Sequence, residues 1–220
     1  MLRFARREPS AILLAAQVAG LLLYPFMEGR DVGRPLFSLF GILILGLVVL
    51  AVRRTPSLTW VGLLLAVPAA VLLLIQAVTR SNTLLPYSSA LEAVLYFYAA
   101  GALITHMLRD PEITRDDLYA IGATFTLVAW AFAYTYTVCQ AIEPHSFTAA
   151  VDPEGQRSWM ELLFLSFTNL TSTGLSDVTP VKAFARALVM IEQLAGLAYV
   201  AMLVSRLVGL TVLRRSRDRA

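Results

Sequence analysis

Long apolar stretches separated by short charged segments dominate the pattern of hydrophobic and polar positions in this chain. A helix that crosses a bilayer needs about 20 predominantly apolar residues, with a range of roughly 17–25. Six stretches approach or reach that length: Ala11–Phe26, Leu36–Val52, Leu58–Val78, Ser89–Leu108, Leu118–Ile142 and Phe184–Leu213. The composition agrees, since 58% of the 220 residues are hydrophobic, more than in ordinary soluble domains. The pattern predicts an all-α membrane protein with six transmembrane helices.

A shorter apolar stretch, Trp159–Leu170, lies between the last two predicted spans. As a helix it would cover about 18 Å of a hydrocarbon core that is about 30 Å thick. We therefore predict a re-entrant helix, which enters the membrane without crossing it. The polar segment that follows would carry the chain back to the surface.

The charges between the spans predict their orientation. All but one of the 18 basic residues are arginine, and they lie between apolar stretches. If both termini are cytoplasmic, twelve basic residues lie inside and six outside, as the positive-inside rule requires. The inner set is Arg3, Arg6, Arg7, Arg53, Arg54, Arg109, Arg115, Arg206, Arg214, Arg215, Arg217 and Arg219, and the outer set is Arg30, Arg34, Arg80, Arg157, Lys182 and Arg186.

We accordingly predict a multi-pass protein of the plasma (bacterial inner) membrane with cytoplasmic N- and C-termini. The first apolar stretch also resembles a signal peptide, but we interpret it as an uncleaved span because it belongs to the charge distribution above. The basic residues that give the net charge of +3 are explained by their role in orienting the spans in the membrane. Membrane lipid is therefore an expected partner, and nucleic acid is not.

Three hydroxyl and acid pairs indicate where helices begin. A Ser or Thr followed three residues later by an acid forms a capping box, in which each side chain binds a free backbone N–H of the first turn. The pairs span Ser89–Glu92, Thr114–Asp117 and Ser158–Glu161. On this interpretation Glu92 and Glu161 are caps at the membrane interface rather than buried acids.

A run of small hydroxyl residues around one glycine follows the short apolar stretch. Non-helical backbone within a membrane is tolerated only where protein buries it or where it lines a water-filled cavity. The run therefore predicts a pore loop. It consists of Thr171, Ser172, Thr173, Gly174, Leu175, Ser176 and Asp177.

These residues align without gaps on the pore signature of the potassium-channel superfamily, which reads T-T-V-G-Y-G-D where this chain has T-S-T-G-L-S-D. Gly196 matches the hinge glycine of the family's inner helix. The resemblance is specific over Trp159–Gly209 and only topological over the first four spans. It implies a bacterial six-span channel with a pore helix and filter loop in residues 113–220, and a peripheral four-helix region in residues 1–112.

The resemblance also implies a homotetramer around a central pore, because each chain supplies one pore loop. Rings of backbone carbonyls would replace the water around a monovalent, potassium-like cation, and no other cofactor is expected. The carbonyls that would coordinate the cation are those of Ser172, Thr173, Gly174 and Leu175.

Three filter positions depart from the family signature. Thr173 replaces valine, Leu175 replaces tyrosine, and Ser176 replaces the second glycine. We expect Ser176 to be forced into a left-handed conformation that costs roughly 1–2 kcal/mol per chain. The outer half of the filter would then be loosened, with weaker selection for potassium.

Glu192 lies about nine residues inside the last predicted span, and an acid at that depth suggests a function. We expect it to bind hydroxyl groups behind the filter, such as those of Thr168 or Ser172, or to pair with Lys182 or Arg186. The alternative is a protonated acid that is satisfied by a helix neighbour.

The fourth span, Ser89–Leu108, lacks the repeated arginines of a voltage sensor. The sequence therefore predicts a voltage-independent monovalent cation channel. We do not expect an enzyme, because the spans contain no paired acids, His cluster or nucleophile with a base. The alternatives are a non-conducting membrane protein that keeps the channel fold for assembly or interaction and, ranked last, a potassium transporter, since such chains carry four pore loops each.

Overall fold

Helices form almost all of the structure, a computed structural model that describes residues 8–27, 33–52, 56–79, 83–109 and 114–217. Two three-residue strands complete the described part. The elements in chain order are α1 (Pro9–Met27), α2 (Gly33–Val52), α3 (Pro56–Thr79), α4 (Leu85–Arg109), α5 (Arg115–Ile142), β1 (Phe147–Ala149), α6 (Trp159–Leu170), β2 (Val178–Pro180) and α7 (Ala183–Arg217).

Four helices are long and apolar enough to cross a membrane within the described residues. Two further apolar helical stretches, Pro9–Tyr24 and Phe40–Val49, lie within α1 and α2. The prediction of a helical, multi-pass membrane protein is confirmed, whereas the number of six spans stays a prediction. The four qualifying segments are Trp60–Thr79, Leu85–Arg109, Arg115–Ile142 and Ala183–Gly209.

Helix α5 connects the two sides of the molecule. It packs against α1 and α4 on one side and against α6 and α7 on the other. Several fully buried alanines, including Ala123, Ala129 and Ala131, allow neighbouring backbones to approach closely, as in membrane helix pairs generally. We call α1–α4 the peripheral side of α5, and α6–α7 with the filter segment its pore side.

Two of the three predicted capping boxes are confirmed. The hydroxyl groups of Thr114 and Ser158 each accept a hydrogen bond from the backbone N–H three residues later. The carboxylate at that later position accepts a hydrogen bond from the N–H of the cap residue. The third prediction is wrong, because α4 begins at Leu85 and its first turn contains Pro86, a residue that suits helix starts. Glu92 therefore lies inside the helix and is buried, with 2% of its surface exposed.

A small antiparallel strand pair was not predicted. β1 pairs with β2 in the register Phe147↔Pro180, Thr148↔Thr179 and Ala149↔Val178. It joins the segment after α5 to the residues that directly follow the filter segment. The strands are too short to give a recognisable alternation of hydrophobic and polar residues in the sequence.

Candidate functional site

The filter segment, residues 171–177, emerges from the C-terminal end of α6 at the surface of a single chain. Residues 171–175 are all exposed, and Leu175 retains 78% of its accessible surface. Ser172 and Gly174 line one groove together with Leu194 and Leu197 of α7. The polar run is therefore presented outward beside the last helix.

Helix α6 ends in a Schellman motif, which explains the conformation of the filter's first residues. With Thr171 as C-cap, the N–H of Ser172 donates to the carbonyl of Asn169 at 2.9 Å, and that of Thr173 donates to the carbonyl of Thr168 at 2.9 Å. This bond pattern requires a left-handed residue directly after the cap, usually glycine. Here that residue is Ser172, with φ 57°.

The same hydrogen bonds fix the direction of several filter carbonyls. The N–H groups of Ser172, Thr173 and Gly174 all point back to carbonyls of α6. In a planar trans peptide the carbonyl of the preceding residue points the opposite way, and no described peptide bond is cis. The carbonyls of Thr171, Ser172 and Thr173 are therefore directed away from α6. The assignment of Ser172, Thr173, Gly174 and Leu175 as cation ligands stays a prediction.

The prediction that Ser176 adopts a strained, left-handed conformation is wrong. Within the filter segment, positive φ angles occur at Ser172, with 57°, and at Gly174, with 63°. Ser176 keeps an ordinary φ, and its Oγ accepts a hydrogen bond from the N–H of Val178 at 3.1 Å. The left-handed position lies earlier than predicted because the end of α6 requires it, and a serine there costs about 1 kcal/mol.

Thr168 contributes its backbone rather than its side chain. Its hydroxyl donates to the carbonyl of Leu165 within α6 at 2.9 Å. Its own carbonyl accepts from the N–H groups of Thr173 and Gly174 and from the hydroxyl of Thr173 at 3.2 Å. The predicted role behind the filter therefore rests on one carbonyl that holds the first half of the filter.

Glu192 is completely buried between three helices. One carboxyl oxygen, Oε2, is hydrogen-bonded to the Tyr136 hydroxyl of α5. The other, Oε1, is hydrogen-bonded to the Ser166 hydroxyl of α6. Ser166 Oγ also lies 2.8 Å from the carbonyl oxygen of Ala129 in α5.

A hydroxyl group behind the filter binds Glu192, as predicted, but it belongs to Ser166, and the partners named in the prediction are wrong. Lys182 instead lies 3.5 Å from the carboxylate of Glu143, and Arg186 donates to the carbonyl of Pro180 at 3.2 Å. Lys182 lies just before α7, nearly three turns before Glu192, and Arg186 lies in the first turn of α7, between one and two turns before Glu192. The depth of Glu192 was readable from the sequence, but its partners Tyr136 and Ser166 lie on other helices.

Gly196 is a point of close approach between α6 and α7. A Cβ atom at this position would overlap the carbonyl group of Leu170 at the end of α6. Helix α7 is continuous from Ala183 to Arg217, with no break at Gly196. The structure thus gives a packing reason for this glycine, and its role as a gating hinge stays a prediction.

Arg157 anchors the outer loop to the start of α6, and sequence reasoning assigned it only to orientation. Its side chain is 5% exposed, lies 3.1 Å from the Glu161 carboxylate, and donates to the carbonyls of Val151 and Gly155. Gln140 of α5 binds both the N–H and the carbonyl of Arg157. In the sequence, the neighbouring Ser158 capping box is the one signal that this segment is structurally fixed.

Comparison with known families gives a match to part of the chain. A protein-family model described as "Ion channel" matches residues 121–212, which include most of α5 and α7 and everything between them. No curated protein and no solved structure matches the chain.

Proposed function

We propose, from the match of residues 121–212 to the ion-channel family model, that the chain is a voltage-independent channel for monovalent cations. Four copies assemble around a central pore in the plasma membrane. Potassium is the expected ion, and it crosses through a filter of backbone carbonyls formed by residues 171–177.

One observation carries this proposal: the carbonyls of Thr171, Ser172 and Thr173 point away from α6 at an exposed face. A cation that leaves water needs oxygen atoms to replace its hydration shell, and rings of backbone carbonyls provide them in potassium channels. One chain supplies only one side of such a ring. Four chains around an axis at this face would complete it.

An exposed apolar stripe on α7 supports assembly at the same face. Its residues recur at helical spacing, and the stripe adjoins Ser172 and Gly174 of the filter segment. In a tetramer this stripe would face the axis below the filter or the neighbouring chain. Its members are Met190, Leu194, Leu197, Val204 and Val208, with 54–68% of their surfaces exposed.

The composition of the outer filter favours reduced selectivity. Leu175 has no hydroxyl group with which to tie the filter to its surroundings, and its side chain is exposed. Ser176 accepts a hydrogen bond from the N–H of Val178, and it shows no other hydrogen bond in the described part of the chain. We therefore expect potassium to be preferred over sodium less strictly than in a filter that reads T-V-G-Y-G.

Helix α4 supports independence from voltage. Its basic residues, His106 and Arg109, both lie in the last turn. A voltage sensor instead carries several arginines spaced along the helix, so that the membrane potential can act on them.

Reconstitution tests the proposal directly. Purified protein in liposomes should pass K⁺ and, to a smaller extent, Na⁺ in a flux assay, and cross-linking should give a tetramer. Gly174→Ala should abolish flux because alanine is strained at φ 63°. Gly101→Ala is the matched control, since its Cβ would meet no atom within 4 Å and flux should persist.

Two results would decide against parts of this proposal. Absence of flux from a correctly assembled wild-type protein would favour the alternative, a non-conducting protein that keeps the channel fold for assembly or interaction. Reversal potentials that show strict selection of K⁺ over Na⁺ would contradict the reduced selectivity alone.

A further inference from the structure

Glu192 connects the three helices of the pore side through its two carboxyl oxygens. Tyr136 and Ala129 belong to α5, Ser166 belongs to α6, and Glu192 itself belongs to α7. Ser166 lies one turn before the C-terminal end of α6, where the filter segment begins. The cluster therefore lies directly behind the filter segment.

The number of hydroxyl protons in this cluster indicates the charge of Glu192. Ser166 has one hydroxyl proton but two oxygen neighbours, the carbonyl of Ala129 at 2.8 Å and Oε1 of Glu192. If Glu192 were ionised, one of these two contacts would join oxygens with no proton between them. If Oε1 carries a proton, it donates to Ser166, Ser166 donates to Ala129, and Tyr136 donates to Oε2. Each contact then has one proton.

The surroundings provide no cation to balance an ionised Glu192. In the part of the chain that the structure describes, the titratable side chains on this face of α5 are Tyr136 and, about one turn further, Cys139. Lys182 is paired with Glu143 at the outer end. A buried carboxylate without a partner of opposite charge is strongly unfavourable, so the environment also favours the neutral acid.

A second contact lies one turn further along both helices. Ser166 and Glu192 form one contact between α6 and α7, and Leu170 and Gly196 form another. Each helix advances by four residues between them, so both contacts lie on one face of each helix. The hydrogen-bonded contact thus holds α6 in register with α7 just before the filter.

From this geometry we propose that Glu192 is a positioning residue that acts as a neutral carboxylic acid. Its proton completes a chain of hydrogen bonds from Tyr136 through Glu192 and Ser166 to Ala129. The chain fixes α6, and with it the filter segment, between α5 and α7. The link to conduction rests on the proposed channel function, whereas the protonation of Glu192 does not.

Conservative replacement tests the proposal because glutamine offers one acceptor and one donor atom, as the neutral acid does. Glu192→Gln should keep thermal stability and retain flux within about twofold of wild type, while Glu192→Ala should lower flux at least about tenfold. Equal loss in both variants would overturn the proposal. If Glu192→Ala does not fold, Tyr136→Phe removes only one hydrogen bond and should lower flux by an intermediate amount.

Infrared spectroscopy measures the proton itself. The difference spectrum between wild type and Glu192→Gln should show loss of the C=O band of a protonated carboxylic acid. Glu154→Gln is the control, because the Glu154 side chain is 88% exposed and its removal should change only carboxylate bands. Loss of carboxylate bands from Glu192→Gln would contradict the proposal. The expected band without any wild-type flux would instead reject the channel function and keep the assignment of the proton.

Discussion

The two sides of α5 each contain a buried carboxyl group, and the two differ in how completely they are hydrogen-bonded. On the pore side, Tyr136 binds Glu192. On the peripheral side, Tyr134 binds Glu92. The two tyrosines are two residues apart, about 200° around a helix, so they point to opposite sides of α5.

Glu192 has a hydrogen-bond partner at each oxygen, whereas Glu92 does not. In the described part of the chain, Oε1 of Glu92, the hydroxyl of Tyr96 and the hydroxyl of Ser89 have no partner. A fully satisfied buried network stabilises one arrangement of its helices, and a partly satisfied one does so much less. The comparison teaches that two buried acids bound to tyrosines of one helix, α5, differ in hydrogen bonding, with a satisfied carboxyl group at Glu192 and a partly satisfied one at Glu92.

The largest expected difference between the sides follows from removing each acid. Glu192→Leu leaves Tyr136 without its partner, while Ser166 keeps its hydrogen bond to the Ala129 carbonyl. It should lower the free energy of unfolding by about 3 kcal/mol per chain, the upper end of the cost of a stranded group. Glu92→Leu strands only Tyr134 and should cost about 1 kcal/mol. Unfolding in detergent measures both, and equal losses would break the comparison.

Glycine replacement probes backbone packing on the two sides. Gly196→Ala should cost about 3 kcal/mol, because the added methyl group overlaps the Leu170 carbonyl and α7 must shift. Gly62→Ala in α3 should instead be neutral or gain about 0.5–1 kcal/mol, since its nearest atom, in Tyr98, would be 3.9 Å away. Thermal unfolding of the two variants is the measurement, and a tolerated alanine at 196 would contradict the close approach.

The two tyrosines of α5 give a smaller but more direct comparison. Tyr136→Phe should cost about 2 kcal/mol, because it leaves Oε2 of Glu192 unpaired, and it should reduce cation flux. Tyr134→Phe should cost a similar amount without changing flux, since Glu92 lies away from the filter. A liposome flux assay normalised to folded protein separates the two, and an equal reduction in flux would show that the peripheral side also controls the pore.

The smallest expected effect lies within the filter segment. Ser172→Gly should stabilise each chain by about 0.5–1 kcal/mol, because glycine adopts the left-handed conformation without strain. Ser176→Gly should destabilise it by about 0.5 kcal/mol, since Ser176 is unstrained and glycine has more freedom when unfolded. Denaturation curves for both variants test this order. A gain in stability from Ser176→Gly rather than from Ser172→Gly would support the sequence-based prediction of strain at Ser176.

Local signals in the sequence predicted much of this fold. The apolar lengths gave the helices, and the Thr114 and Ser158 boxes placed the starts of α5 and α6 correctly. Ser89 misled because the same hydroxyl and acid spacing also occurs inside α4, where Pro86 sets the start one turn earlier. Signals of this kind are reliable where the interaction is confined to one turn of backbone.

The candidate site was less predictable because its contacts join distant segments. Glu192 and Tyr136 are 56 positions apart in the sequence, and no local sequence pattern around either residue indicates that the two are in contact. The left-handed angle of Ser172 depends on how α6 ends rather than on the family signature. Arg157 contributed to the charge pattern but not to any motif, so its buried role was not visible.

The strand pair has a mechanical consequence for the filter segment. Its inner end is held by the bonds from Thr173 and Gly174 to Thr168, and its outer end by the pairing of Val178 with Ala149. Only Leu175, Ser176 and Asp177 lie between these two attachments. If the helices do not move, any change in the shape of the filter segment is therefore confined to these three residues. A segment of this length can rearrange on the timescale of a surface loop, in nanoseconds to microseconds.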